Sequence, residues 1–313
     1  MTIDDCRHFY AEEVRIAAGV NSPALVEAFA QVPREKFMGP PPWQIASPEL
    51  ASMAFLGLRG EGYLTTEDPR DLYHNVLVAL DADRHLNNGQ PSALARWLDA
   101  LELISGDKVY HLGCGVGYYT AIMAEIVGAR GRVAASEVDA SLAARARDNL
   151  ASYPTVSVHA GDGAAFDSGI CDAIFINAGV THPHPLWLAR LREGGRLVLP
   201  LTSSMAIANV GTGVMAKITR RETDADSGEE SERQIPFMKG YTVFNVEQVE
   251  GLPPHFYAKA APPRACGNIL RRDRRECHPW RQSRLLCFLD RQHTHALHRP
   301  VQERGQLLRH ARA

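Results

Sequence analysis

"VYHLGCGVGYYTA", residues 109–121, sets a short apolar run against three glycines at alternate positions, Gly113, Gly115 and Gly117. A residue without Cβ lets the chain turn sharply and lets a ligand come against the main chain. In an open α/β sheet, a strand that ends in such a turn and passes into a helix offers backbone N–H groups beyond its carboxyl end. A nicotinamide fingerprint, G-x-G-x-x-G, needs glycine where Tyr118 stands, so the spacing here is G-x-G-x-G.

Outward from this turn the pattern is regular. The spacing predicts helix 92–104, strand 107–112, helix 117–128, strand 131–136, helix 139–152, strands 155–160 and 171–177, helix 184–192 and strand 195–201. Apolar strands alternating with amphipathic helices require a mostly parallel sheet covered on both faces, which is a Rossmann-like doubly wound α/β fold. Upstream, 3–18 and 22–32 have helical spacing; Asn21 or Ser22 is placed to cap the second helix, and Pro23 suits its first turn. Residues 39–70, rich in Pro and Gly, read as loops with short helices. After 202 the rhythm changes: 205–219 holds one or two strands, 220–233 is an acidic connector, and "FMKGYTVFNVEQV" (237–249) alternates as a strand does. There are no internal repeats. The expected divisions are an N-terminal helical and substrate-loop region (1–90), a ligand-binding domain (91–216), a short fragment (217–263) and a tail (264–313).

At 313 residues, 45% hydrophobic and 22% charged, the chain suffices for one main domain with appendages. The first residues lack a basic-then-apolar leader and no run of 18 residues is apolar, so a soluble cytoplasmic protein without a membrane partner is expected. The six cysteines are scattered without close pairs, against a disulfide framework or a zinc site. The net charge of −2 conceals an asymmetry: residues 264–313 hold twelve Arg, no Lys and four acidic residues, about +8, leaving about −10 for the remainder.

The glycine spacing resembles the motif of class I S-adenosylmethionine-dependent methyltransferases. On that resemblance His111, Gly113, Cys114, Gly115 and Gly117 line a site for S-adenosyl-L-methionine. In "AASEVD", Glu137, followed by Val138, is placed to accept hydrogen bonds from both ribose hydroxyls. In "AGDGAAF", Asp162 is placed to hold the adenine amino group, and Gly163 to leave room for the ring. "CDAIFINAG" ends beside the same crevice at Asn177 and Ala178. Each element also has an ordinary structural reading, as a turn glycine, a solvated Glu or an Asp starting a loop. Four of them at successive strand ends argue for the cofactor.

The resemblance narrows to the protein-L-isoaspartate O-methyltransferases through "AFAQVPREKFMGP" (28–40), "LNNGQPSALARWLDALEL" (86–103) and "LREGGRLVLPL" (191–201), and extends over about residues 8–202. It implies carboxyl O-methylation of isoaspartyl residues in a protein or peptide substrate. Two positions depart from the family. Its substrate loop reads Thr-x-Ser-Gln-Pro, where the resemblance implies that the Ser helps hold the isoaspartyl carboxylate, and alignment on Gln90 and Pro91 puts Asn87 at the Thr position, Asn88 next and Gly89 at the Ser position. His111 stands where the family has Glu, either as a hydrogen-bonding replacement or as a plain strand-end histidine. A carboxylate acceptor is ionised near pH 7, so no general base is required. His182 and His184 in "THPHP" are candidates for substrate contact, or for a base if the acceptor were an alcohol; as a pair they do not make a metal site.

Residues 221–260, chiefly "FMKGYTVFNVEQVEGLP", resemble a fragment of plasmid antirestriction proteins without the H-E-x-x-H metal motif. The Arg- and His-heavy, Lys-free tail has the composition of GC-rich DNA read in a wrong frame and is expected to be disordered, although its charge also suits nucleic-acid phosphates. Three functions therefore stand: an isoaspartyl-type carboxyl methyltransferase, a methyltransferase for another peptide or small-molecule acceptor, and a single-stranded DNA-binding antirestriction remnant with a passive methyltransferase fold.

Overall fold

Helix α1 (Ile3–Ala18) starts at Thr2, whose hydroxyl accepts the Asp5 N–H while the Asp5 carboxylate accepts the Thr2 N–H, so two donors that no helical carbonyl can reach are satisfied. Helix α2 (Pro23–Gln31) is capped by Ser22, which accepts from the Leu25 N–H, with Pro23 in the first turn. The computed structural model describes residues 1–47, 49–50, 62–84, 86–204, 211–221 and 243–248. The chain divides into two compact units, Met1–Ala261 and Pro262–Ala313. The second, which holds nearly all of the basic tail, lies wholly outside the described residues, as does most of the antirestriction-like stretch.

Between the helices and the main domain is a small antiparallel sheet in the order β2-β1-β3-β4, formed by β1 (Trp43–Ala46), β2 (Leu64–Thr66), β3 (Leu77–Asp81) and β4 (Leu86–Asn87). The expectation of loops with short helices over 39–70 is corrected here. Strands of three and four residues carry too few alternations to stand out from a Pro- and Gly-rich background, and their pairing is set by contacts outside the segment. Arg34 anchors the approach to β3. Fully buried, its guanidinium donates to the carbonyls of Leu72 (2.6 Å), His74 (3.1 Å) and Val76 (2.8 Å) and lies against the rings of Tyr10 and Tyr118.

The main sheet has seven strands in the order β11-β10-β9-β8-β5-β6-β7. Strands β5 (Lys108–Leu112), β6 (Arg132–Glu137), β7 (Val156–Ala160), β8 (Cys171–Ile176) and β9 (Leu191–Ser204) run parallel, while β10 (Gly211–Arg221) and β11 (Val243–Gln248) add antiparallel pairs. Strand β10 continues past residue 216, and β11, from the antirestriction-like stretch, pairs along it. Side chains alternate between the two faces. Val109, Val133, Ala173, Phe175 and Val198 pack with α1, α2, α3 (Pro91–Asp99), α4 (Tyr118–Val127) and α5 (Ala140–Asn149). Tyr110, Ile174, Leu197, Leu199 and Ile218 pack on the other face with Trp187 and Leu188 of α6 (Pro185–Arg190). Each such side chain contributes roughly 2 kcal/mol by leaving water, and burial on both faces explains why the strands are continuous apolar runs.

Three predicted helices end early, among them α5, which stops at Asn149 rather than 152. Helix α3 stops at Asp99 rather than 104, because Glu102 takes a left-handed conformation (φ 50°) that turns the chain toward β5 while Leu101 and Leu103 stay buried. Helix α6 stops at Arg190, and Leu191 already pairs with Cys171; an irregularity before the Ala173–Arg196 pair absorbs the intervening residues.

Candidate functional site

The carboxyl ends of β5, β6, β7 and β8 are tied to one another by backbone hydrogen bonds. The N–H groups of Gly113 and Cys114 both donate to the Ser136 carbonyl, at 2.8 and 3.1 Å. The Asn177 N–H donates to the Leu112 carbonyl (2.8 Å), and its side-chain amide reaches the Gly113 carbonyl (3.4 Å). Glu137, 8% exposed, accepts the Gly115 N–H on Oε2 (2.8 Å) and the Asp139 N–H on Oε1 (3.0 Å), while its own carbonyl accepts the Gly161 N–H (2.9 Å). The Tyr110 hydroxyl donates to the Gly163 carbonyl (2.8 Å) and shares a hydrogen bond with Ser136 Oγ (2.7 Å). Residues that the sequence places at four separate strand ends thus lie together on one edge of the sheet.

The glycines in it have different duties. A Cβ at Gly113 would lie 2.8 Å from the Asn177 carbonyl oxygen, one at Gly117 2.6 Å from Leu150 Cδ1, and one at Gly163 2.4 Å from Ser136 Oγ. At all three, protein atoms stand where a Cβ would go. Gly115 differs: a Cβ there would meet nothing nearer than Leu80 Cδ1 at 3.8 Å, and its φ of +57° suits glycine. Its backbone is bare and part-exposed, a Cβ there would be in ordinary contact with Leu80, and the Glu137 carboxylate lies on its N–H.

Around this frame, Val138 is 74% exposed directly after Glu137, an apolar side chain free to cover a ligand. Asp162 is exposed; Oδ1 accepts the Ala164 N–H (2.9 Å), and Oδ2 accepts no hydrogen bond among the described residues. Cys114 is buried, and burial with Glu137 nearby pushes its thiol up to about 12, so it is an inert lining residue. His111 is fully buried on β5, stacked on Phe175, with Nδ1 2.9 Å from Thr120 Oγ1 and Nε2 without a hydrogen-bond partner among the described residues. Burial lowers its pKa to about 3, so it is neutral at pH 7 and cannot replace a carboxylate's charge.

The substrate-loop candidates form the turn from β4 into α3, beside the first turn of α4. Asn87 Oδ1 accepts the Gly89 N–H (2.8 Å), the Asn88 N–H donates to the Val78 carbonyl (2.8 Å), and the Tyr119 hydroxyl reaches the Gly89 carbonyl (3.5 Å). Gln90 is buried and donates to Ser92 Oγ (3.1 Å). Gly89 has φ +77°, and a Cβ there would lie 2.8 Å from Leu94 Cδ2. Asn88 is 8% exposed, and its Nδ2 has no hydrogen-bond partner among the described residues.

A family model described as protein-L-isoaspartate(D-aspartate) O-methyltransferase matches residues 45–212. The chain belongs to this family. Relatives named protein-L-isoaspartate O-methyltransferase include one from Methanothrix thermoacetophila, 33% identical over 58% of this chain and 75% of its own length. One from Rhodopseudomonas palustris, designated 1, is 29% identical over 71% and 80%. For a relative from Thermotoga maritima, 28% identical, the match spans half of each chain, 49% of this one and 50% of the other. A crystal structure of a Plasmodium falciparum protein described as a protein-L-isoaspartate O-methyltransferase, in complex with S-adenosyl-L-homocysteine, superposes with a TM-score of 0.50 over 78% of this chain and 95% of that one at 15% identity, a likeness of fold.

This family member places the two loop histidines unequally. His184 caps α6, its Nδ1 accepting the Leu186 N–H (3.3 Å); burial lowers its pKa, so that nitrogen is occupied and the ring is neutral at pH 7. Trp187, one turn on, reaches the Gly163 carbonyl (3.4 Å) and holds this turn against the crevice. His182 is exposed and bonded to Thr181. Three contributors escaped sequence reading. Leu80 faces Gly115; the Asn149 amide donates to Val116 (2.9 Å) and Phe37 (3.3 Å), joining the glycine turn to the Val-Pro-Arg-Glu segment; and Arg84 pairs with Asp139 (2.6 Å), the cap of α5. None sits at a motif spacing, and only Asp139, as a cap before a helix, left a sequence signal. Among the described residues no cluster of His, Cys, Asp or Glu is placed to hold a metal, and no helix is long and apolar enough to cross a membrane.

Proposed function

We propose that this chain transfers a methyl group from S-adenosyl-L-methionine to the free carboxylate of an isoaspartyl-type residue in a protein or peptide. The observation that carries the reading is the turn at Gly115, where bare, part-exposed backbone and the Glu137 carboxylate meet within a chain of the isoaspartyl methyltransferase family. The donor set fits the cofactor. Each Glu137 oxygen has one backbone partner and keeps lone-pair capacity for a ribose hydroxyl, Asp162 Oδ2 is open for an amino group, and Val138 offers an apolar cover. The Asn177 amide and the turn around Gly113 complete the wall.

When bound, S-adenosyl-L-methionine supplies a methyl on cationic sulfur, so a carboxylate oxygen gains the carbon as the carbon–sulfur bond breaks and no proton need move. The protein's task is then alignment and exclusion of water, which by themselves are worth many powers of ten in rate. A neutral His184 beside the crevice is consistent with a reaction that needs no base. The loop 86–90 lies against α4, whose start is the glycine turn, and so presents the acceptor to that turn.

A calorimetric titration with S-adenosylhomocysteine, followed by labelled methyl transfer to matched isoaspartyl and aspartyl peptides, tests the reading. Micromolar binding and a base-labile ester on the isoaspartyl peptide are expected. Binding without any isoaspartyl ester would overturn it in favour of another peptide or small-molecule acceptor, a reading that the bare position 89 favours.

A further inference from the structure

We infer that Asn88 is the residue that holds the acceptor carboxylate, in place of a hydroxyl at position 89; the inference rests on the isoaspartyl reading above. A hydroxymethyl group at 89 is disfavoured twice, by the left-handed backbone (φ +77°) and by Leu94 Cδ2, which stands 2.8 Å from a Cβ and would have to move. The loop's hydrogen bonds are otherwise made. Asn87 serves the Gly89 N–H, Gln90 serves Ser92, the Ser92 N–H serves Asn75 Oδ1 (3.0 Å), and the Gly89 carbonyl takes the Tyr119 hydroxyl. The Asn88 amide nitrogen stands apart, more than nine-tenths buried and with no partner among the described residues. A buried N–H without an acceptor is a standing loss of free energy that a bound oxygen removes.

The neighbourhood selects that oxygen. Tyr119, whose hydroxyl reaches the Gly89 carbonyl, lies in the first turn of the helix that begins after Gly117, so the loop that carries Asn88 rests on the helix that starts at the glycine turn. A neutral amide orients a carboxylate by donating to its non-attacking oxygen and leaves the negative charge on the oxygen that attacks. A Lys or Arg would neutralise the nucleophile it holds. The side chain one residue before Gly89 thus does by a longer reach what a short hydroxyl at 89 is disfavoured from doing here.

The test uses the full chain and an isoaspartyl peptide. Asn88→Ala is expected to raise KM for the peptide about tenfold or more, the loss of one hydrogen bond to a charged group, with S-adenosylhomocysteine affinity and thermal midpoint unchanged. Asn88→Asp sets two carboxylates together. Its KM is expected to be worse than that of Asn88→Ala at pH 8 and to recover toward pH 6, as the new carboxyl takes up a proton and becomes a donor; wild type shows no such trend. A purely structural role would not produce that profile. An unchanged KM in Asn88→Ala, or a loss confined to cofactor binding or thermal stability, overturns the inference while leaving the isoaspartyl reading intact. Wild-type protein that binds cofactor and methylates no isoaspartyl peptide overturns both.

Discussion

The glycine turn at 113–117 and the loop at 86–90 are neighbours across the first turn of α4, yet they are held in different ways. The turn is fixed by main-chain groups of adjacent strands, through Ser136, Leu112 and Glu137, so its geometry follows from sheet register. The loop is held by the Asn88 N–H on the Val78 carbonyl and by the side chains of Asn87, Asn75 and Tyr119, and among the described residues it keeps one buried donor unsatisfied. Cofactor chemistry common to a family can be built on backbone, which tolerates sequence drift. On the proposed reading the acceptor loop leans on side chains, at the positions where the sequence departs from the motif it resembles.

The contrast can be broken most forcefully at the turn. Gly113→Ala forces a Cβ to 2.8 Å from the Asn177 carbonyl; a loss of about 3 kcal/mol in stability and of measurable cofactor binding is expected, read by urea melts and calorimetry. A well-folded alanine variant with normal affinity would show that register does not govern the turn. Glu137→Ala strips the Gly115 and Asp139 N–H groups of their acceptor, for about 2 kcal/mol and at least tenfold weaker cofactor binding.

Next in size is an effect of pH inside the sheet. The folded-state pKa of His111, about 3, lies below its unfolded value, so below pH 6.5 the unfolded chain binds the extra proton and stability falls as pH drops toward 3. Between pH 7 and 5.5 this group alone contributes a loss of about 1.3 kcal/mol, and His111→Gln should flatten that part of the curve in denaturant melts. Identical curves would place the ring in a wetter site. The smallest effect sharpens the comparison at the loop. Gly89→Ser, which restores the family residue, is expected to lose about 1 kcal/mol through its positive φ and to gain no methyl transfer. An increase in rate would show that the loop adapts to a hydroxyl.

Much of the crevice was legible because parallel strands with short connections must deliver their carboxyl ends to one side, so Glu137, Asp162 and Asn177 could be assigned a common edge from order alone. The N-terminal strands were not legible, since Trp43–Ala46 and Leu64–Thr66 are too short to show a period. Nor were the separate duties of the glycines. Gly113, Gly117 and Gly163 serve Asn177, Leu150 and Ser136, partners that no spacing announces.

The linear chain by itself determined the alternation of apolar strands and amphipathic helices, hence the two-faced parallel sheet, and the edge on which its polar residues would gather, because burial on both faces leaves a strand few other solutions. Only tertiary structure decided which glycine has room for a Cβ, that His111 is sealed and uncharged, and that position 89 disfavours a side chain while the Asn88 amide nitrogen stands unpaired among the described residues. Those are matters of ångströms between residues remote in sequence, and local pattern carries no information about them.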